Sequence, residues 1–182
     1  MDPRTFLPPK RIVAAPLPAP GDPAPALGEP AVEGPALIAF LRHVGCPFAE
    51  ATLVALREAA EAHPEVRFIA VSHAGDEATA RWAEQVGGGG AVQLRSDPER
   101  ALYAAWGLGS STLSHFLGGR SLRAVAEQAR HGIRNRHPVG TRWQTAGTFA
   151  VDEGGTVRFV HVPAHAGELP DLAVALGALS AP

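Results

Sequence analysis

The stretch FLRHVGCPFAEATL, Phe40 to Leu53, holds the only cysteine of the 182-residue chain. Just before it, Leu37 to Leu41 is a short continuous apolar run, as a strand buried on both faces requires. Just after it, Phe48 to Ala62 is rich in Ala, Leu and Glu and predicts a helix. Pro47 suits the first helical position, because the N–H it lacks is one the helix could not have satisfied. Cys46 is then the N-cap, its sulfur near the N–H groups of Phe48 and Ala49 at the positive end of the helix dipole, where a thiolate is favoured. Arg42 and His43 precede it at the strand end, where successive side chains point to opposite faces, so one of the two is expected to reach the sulfur. His43 is the better placed if the loop VGC folds back. The plain alternative is a small, half-buried cap without chemistry, flanked by a solvated arginine and a surface histidine.

Working outward, the strand–helix alternation repeats. VRFIAVSH reads as a strand, DEATARWAEQV as a helix, GGGG as a loop and AVQLRS as a strand. DPERALYAAWGL reads as a helix opened by Asp97 as cap and Pro98 at its first position. Leu113, Phe116, Leu117, Leu122, Val125, Ala126 and Ala129 recur at helical spacing and predict one helix broken at Gly118 and Gly119, or two. GTFAVDEGGTVRFVHV is two alternating runs joined by DEGG, a β-hairpin signal, and LPDLAVALGAL closes the chain as a helix. A β-α-β-α-β core followed by a hairpin and a helix predicts a thioredoxin-like three-layer α/β/α sandwich with a mixed central sheet, in preference to a Rossmann fold.

Ten of the 17 prolines fall at or before Pro35. Residues 1–20 therefore read as a flexible proline-rich arm, and 21–182 as one domain. The 16 basic and 18 acidic residues nearly cancel, which argues against nucleic acid or a membrane surface as partner. One cysteine cannot form an internal disulfide, no apolar run reaches a membrane span's length, and prolines break up the N-terminal apolar residues. A cytoplasmic protein is expected.

The same residues carry a family resemblance. FLRHVGCPFAEATLVALREA resembles the Arg-His-x-x-Cys-Pro-x-Cys segment of peroxiredoxin-like proteins of the alkyl hydroperoxide reductase and thiol-specific antioxidant superfamily. GDPAPAL at Gly21 to Leu27, RALYAAWGLG at Arg100 to Gly109, and Gln144 to Leu172 are similar to further family segments in the same order. The resemblance implies a one-cysteine thiol peroxidase or oxidoreductase, with Cys46, His43 and Arg42 as catalytic residues and a sulfenic acid on Cys46 as intermediate. It implies substrate contacts from Pro47, Phe48, Arg142, Thr148 and His161. The expected partners are a peroxide or organic small molecule and an external thiol reductant, with homodimerisation an open option and no cofactor or metal.

The chain also departs from the pattern. Ala49 stands where closer relatives have a second cysteine, so reduction needs an external thiol or a disulfide between two copies of Cys46. His43 replaces the threonine, and Ala39 the proline, of the usual peroxide pocket. The hairpin arginine falls near Ala146, with Arg142 a few residues upstream. Two other readings stay open: a non-redox enzyme using His43 and Cys46 on an organic substrate, and a binding module that has lost catalysis. His161 and His165 flank Pro163 without an acidic or thiol companion, a poor metal site. The glycines of GLGSS and GGGG read as turns. The arginines from Arg120 to Arg142 form a basic stretch that suits an anionic substrate or a solvated face.

Overall fold

The computed structural model describes residues 10–29, 31–111, 136–165 and 167–180. Among these the order is β1 (Ala36–Phe40), α1 (Pro47–Ala62), β2 (Arg67–Ser72), α2 (Asp76–Gln85), β3 (Gln93–Ser96), α3 (Ala101–Ala105), β4 (Gly147–Val151), β5 (Val157–His161) and α4 (Leu172–Leu179). The helical pattern expected from Leu113 to Ala129 lies outside the described residues. The strands form one mixed sheet in the order β3-β2-β1-β4-β5. β1 and β2 are parallel to each other and β3 to β2, whereas β4 runs antiparallel to both β1 and β5. The fold is thioredoxin-like, as the sequence predicts.

The apolar run of β1 is explained by its central place. Leu37 and Ala39 turn to a core shared with α1, α2 and α4, while Ala36, Ile38 and Phe40 turn to a second core on the opposite face with Tyr103 and Trp106. The two-residue period thus survives inside a run with no polar member. The second core is aromatic: Phe40 meets Tyr103 edge-on at 5.0 Å between ring centroids, and Trp106 meets Phe149 at 4.8 Å. The β4–β5 hairpin is closed by Asp152, whose carboxylate accepts from the Thr156 N–H at 2.9 Å and from Arg158 Nε at 2.8 Å. Residues 10–20 form no helix or strand; Ala15 N–H donates to the Ala104 carbonyl, and Arg100 Nη2 to that of Lys10.

One element departs from its predicted start. Pro98 does not open α3: residues 98–100 are a turn and coil, and Arg100 sits at φ +60° before a helix that begins at Ala101. Asp97 is nevertheless the capping side chain. Its carboxylate accepts from the N–H groups of Ala101, Leu102 and Tyr103 at 2.9, 2.8 and 3.1 Å, reaching over the turn to satisfy donors the first helical turn leaves unpaired. No helix among the described residues is long and apolar enough to cross a membrane.

Tyr103 fixes the edge of the sheet where the site lies. Its buried hydroxyl shares its proton between the carbonyls of Leu41, at 2.6 Å, and Val71, at 2.8 Å, just past β1 and within β2. Replacing Tyr103 with Phe removes the donor from the buried Leu41 carbonyl, while the Val71 carbonyl keeps the Leu41 N–H at 2.8 Å. This change is expected to lower stability by roughly 1–3 kcal/mol, read as a shift in urea midpoint.

Candidate active site

The loop after β1 and the first turn of α1 are built as the sequence predicts. Cys46 is the N-cap at φ −77° and ψ 132°, and Pro47 opens the helix. The Cys46 N–H donates to the His43 carbonyl at 3.1 Å, closing the turn that presents the thiol. The sulfur makes no capping hydrogen bond to the first-turn N–H groups. Its position is sheltered: Cys46 is 4 % exposed and packs in the core shared by α1 and α2.

Both Arg42 and His43 are drawn inside rather than sent to opposite faces, because the chain has left the strand at Phe40. Arg42 is 7 % exposed and His43 3 %. Arg42 is the one whose charge acts on Cys46. Burial pulls its guanidinium below the usual range, the neighbouring thiol offsets part of that, and Arg142 adds to it. Its Nη2 donates to the Arg142 carbonyl at 3.5 Å. His43 is held neutral well below the usual imidazole range, first by burial and then by Arg42, Arg142 and His73. Neither of its ring nitrogens has a hydrogen-bond partner among the described residues.

The segment 136–144 lies over this turn. The Arg136 N–H donates to the Gly45 carbonyl at 2.9 Å and the Val139 N–H to the Val44 carbonyl at 3.2 Å. Gly45, at φ +87°, permits the approach, since a β-carbon there would stand 2.5 Å from the His137 carbonyl oxygen. Gly140, at φ +91°, lies so close to the His73 ring that a β-carbon would be 2.7 Å from it. His73 Nε2 donates to the Thr141 carbonyl at 3.0 Å, which assigns the proton to that nitrogen. Burial holds His73 down to about 4. At the far end Gln144 anchors the segment, its Nε2 donating to the carbonyls of Leu108 and Gly109 at 3.0 Å each.

The sequence-predicted residues divide between two places. Arg42, His43, Cys46 and Arg142 gather under the cover, with Pro47 at the helix start. Phe48, Thr148 and His161 line a narrow cleft beside α1, β4 and β5. Arg42 borders both, and Ala49 faces the cleft. Thr148 and His161 are cross-strand partners, and His161 Nε2 is buried there without a hydrogen-bond partner among the described residues. Sequence reasoning missed His73 and Glu50, and held Arg136 only as one arginine of the basic stretch from Arg120 to Arg142. Glu50 lies one turn along α1, and Arg136 Nε and Nη2 donate to its carboxylate at 3.1 and 3.3 Å. Among the described residues no three His, Cys, Asp or Glu side chains cluster as metal ligands.

A family model described as AhpC/TSA antioxidant enzyme matches residues 52–165. Cys46 lies ahead of the matched span. Among solved structures, a peroxiredoxin-like protein from Aquifex aeolicus superposes with a TM-score of 0.65 at 18 % identity, over 93 % of this chain and 91 % of that one. A thiol peroxidase from Chromobacterium violaceum gives 0.63 at 16 %, over 93 % and 91 %. AhpC of Mycobacterium tuberculosis gives 0.54 at 17 %, over 91 % and 93 %. At these identities the likeness is one of fold. No curated protein matches the sequence.

His43 and His73 are neutral in the folded protein and take up protons near pH 6.5 once unfolded. The unfolded chain therefore binds more protons as pH falls, so their contribution to stability is complete above about pH 6.5 and is lost on the way down to the folded-state values. Urea midpoints measured from pH 7 to pH 5 should fall, with a slope approaching about 1 kcal/mol per pH unit for each histidine, and His73→Gln should flatten the profile.

Proposed function

Because the chain belongs to the AhpC/TSA antioxidant enzyme family, we propose that it is a one-cysteine thiol peroxidase in which Cys46 is the thiol that peroxide oxidises. The observation that carries this reading is the juxtaposition of the chain's only thiol, at the amino end of α1, with the buried guanidinium of Arg42. A guanidinium cannot give up its charge at neutral pH, so Arg42 is a standing counter-charge for any anion formed beside it. Pro47 supports the reading by fixing where the helix, and with it the thiol, begins.

In the proposed reaction the thiolate attacks one peroxide oxygen. An S–O bond forms as the O–O bond breaks, and the departing alkoxide or hydroxide takes a proton from solvent. The resulting sulfenic acid loses water to an incoming thiol, giving a mixed disulfide, and a second thiol releases Cys46 with formation of the reductant's own disulfide. Neutral His43 is suited to hold a hydrogen bond to the peroxide, because both its nitrogens lack partners among the described residues. Phe48, Thr148 and His161 are assigned to the substrate cleft that Arg42 joins to the thiol.

With Ala49 in the family's second-cysteine place, the reductant is external. The near-complete burial of Cys46 favours a small thiol over a second copy, since two equally buried sulfurs cannot approach to bonding distance without both folds opening. That same burial is what a non-redox binding cleft would also show, and the test separates the two. Stoichiometric hydrogen peroxide with dimedone should label Cys46, identified by peptide mass, and added dithiothreitol or glutathione should sustain peroxide consumption. Cys46→Ser should abolish both. Absence of label and of turnover in the wild-type protein would turn the assignment to ligand binding.

A further inference from the structure

Arg136 grips the thiol-bearing turn on both sides. Its backbone N–H holds the carbonyl of Gly45, the residue before Cys46, while its side chain forks onto Glu50, the residue four beyond. Glu50 is tied to the same turn, because its own N–H donates to the Cys46 carbonyl at 3.1 Å. Cys46 caps the helix and Glu50 closes its first turn, so thiol and carboxylate belong to the same turn of chain. The carboxylate is 9 % exposed and the guanidinium 36 %, an asymmetry that leaves the acid dependent on its partner.

A carboxylate placed there would, by itself, oppose a thiolate at Cys46. Among the described residues, the other charged or titratable groups around the turn are Arg42 and His43 on its own loop, His73 from the loop after β2, Arg81 from α2, and His137 and Arg142 from the cover. His43 and His73 are neutral, and among the described residues Glu50 is the acidic group in this set and Arg136 its counter-charge. We propose that Glu50 and Arg136 act together as positioning residues for Cys46: Arg136 fixes the turn at Gly45 and cancels the carboxylate beside the thiol, so the state of the pair sets how nucleophilic the thiol is. This rests on the reading of Cys46 as the reactive group, and it adds two residues to that reading.

The test uses the single cysteine. Thiolate absorbance at 240 nm, with the Cys46→Ser variant subtracted, is followed against pH at low ionic strength for wild type, Glu50→Gln, Arg136→Gln and the double variant. Glu50→Gln leaves the guanidinium uncompensated and should lower the midpoint by about half a pH unit or more, an increase of about threefold in thiolate below the midpoint. Arg136→Gln should raise it, and the double variant should return close to wild type. Arg136→Lys, which keeps the charge without the fork, should remain near the wild-type midpoint. Should Arg136→Gln fail to fold because it leaves a buried carboxylate alone, Glu50→Gln and the double variant still decide. Shifts of one sign in both single variants, or no shift in Glu50→Gln, overturn the proposal. Because no peroxide enters this titration, its failure is distinct from a failure of sulfenic-acid trapping in the wild-type protein.

Discussion

The proton of the Tyr103 hydroxyl, shared between the carbonyls of Leu41 and Val71, is the interaction on which the arrangement around the thiol depends. At this end of the parallel pair the Val71 carbonyl still accepts from the Leu41 N–H at 2.8 Å, the Leu41 carbonyl turns to a side chain, and the chain leaves β1 and β2 carrying Arg42, His43 and His73 into a buried region. A buried donor at that edge bridges both carbonyls at once and sets the spacing between the two departing loops. The ring of the same tyrosine stands edge-on to His73 at 5.6 Å, so the sheet edge and the imidazole that holds the cover are fixed by one side chain.

The chemistry of the site follows from what burial does to each basic group. An imidazole can respond to a low-dielectric surrounding by shedding its proton, and His43 and His73 do so. A guanidinium cannot at neutral pH, so the buried Arg42 requires oxygen or sulfur acceptors nearby. The Arg142 carbonyl serves Arg42 in this way. The cover thus contributes an acceptor as well as shelter.

The fold was legible because each element announces itself locally. Pro47 after Cys46 marks the start of α1, the unbroken apolar run of β1 marks a central strand, and DEGG marks the hairpin. The start of α3 misled for a physical reason: Asp97 caps at a distance because Arg100 takes a left-handed conformation that no propensity rule favours for arginine. In the site, Cys46 and Arg42 could be placed from the stretch that contains them. His73 and Glu50 could not be singled out, since a histidine at a strand end and a glutamate in a first helical turn are ordinary there. Their meaning comes from Thr141 and Arg136, 68 and 86 residues away along the chain. Two close approaches, at Gly45 and Gly140, are the only local trace the docked segment leaves, and in a chain with 20 glycines they do not stand out.

The place of β1 in the sheet has a consequence for how the protein is made. The strand leading to Cys46 is flanked on one side by β2, which leaves the ribosome soon after it, and on the other by β4, which is separated from it by more than half the length of the chain. The segment 136–144 immediately precedes β4 and arrives with it. For most of synthesis the nascent chain therefore carries half a sheet with an open edge at β1 and an unsheltered thiol. The cysteine that is among the best protected groups in the finished molecule is among the last to be enclosed, and the maturation of its surroundings coincides with closure of the sheet.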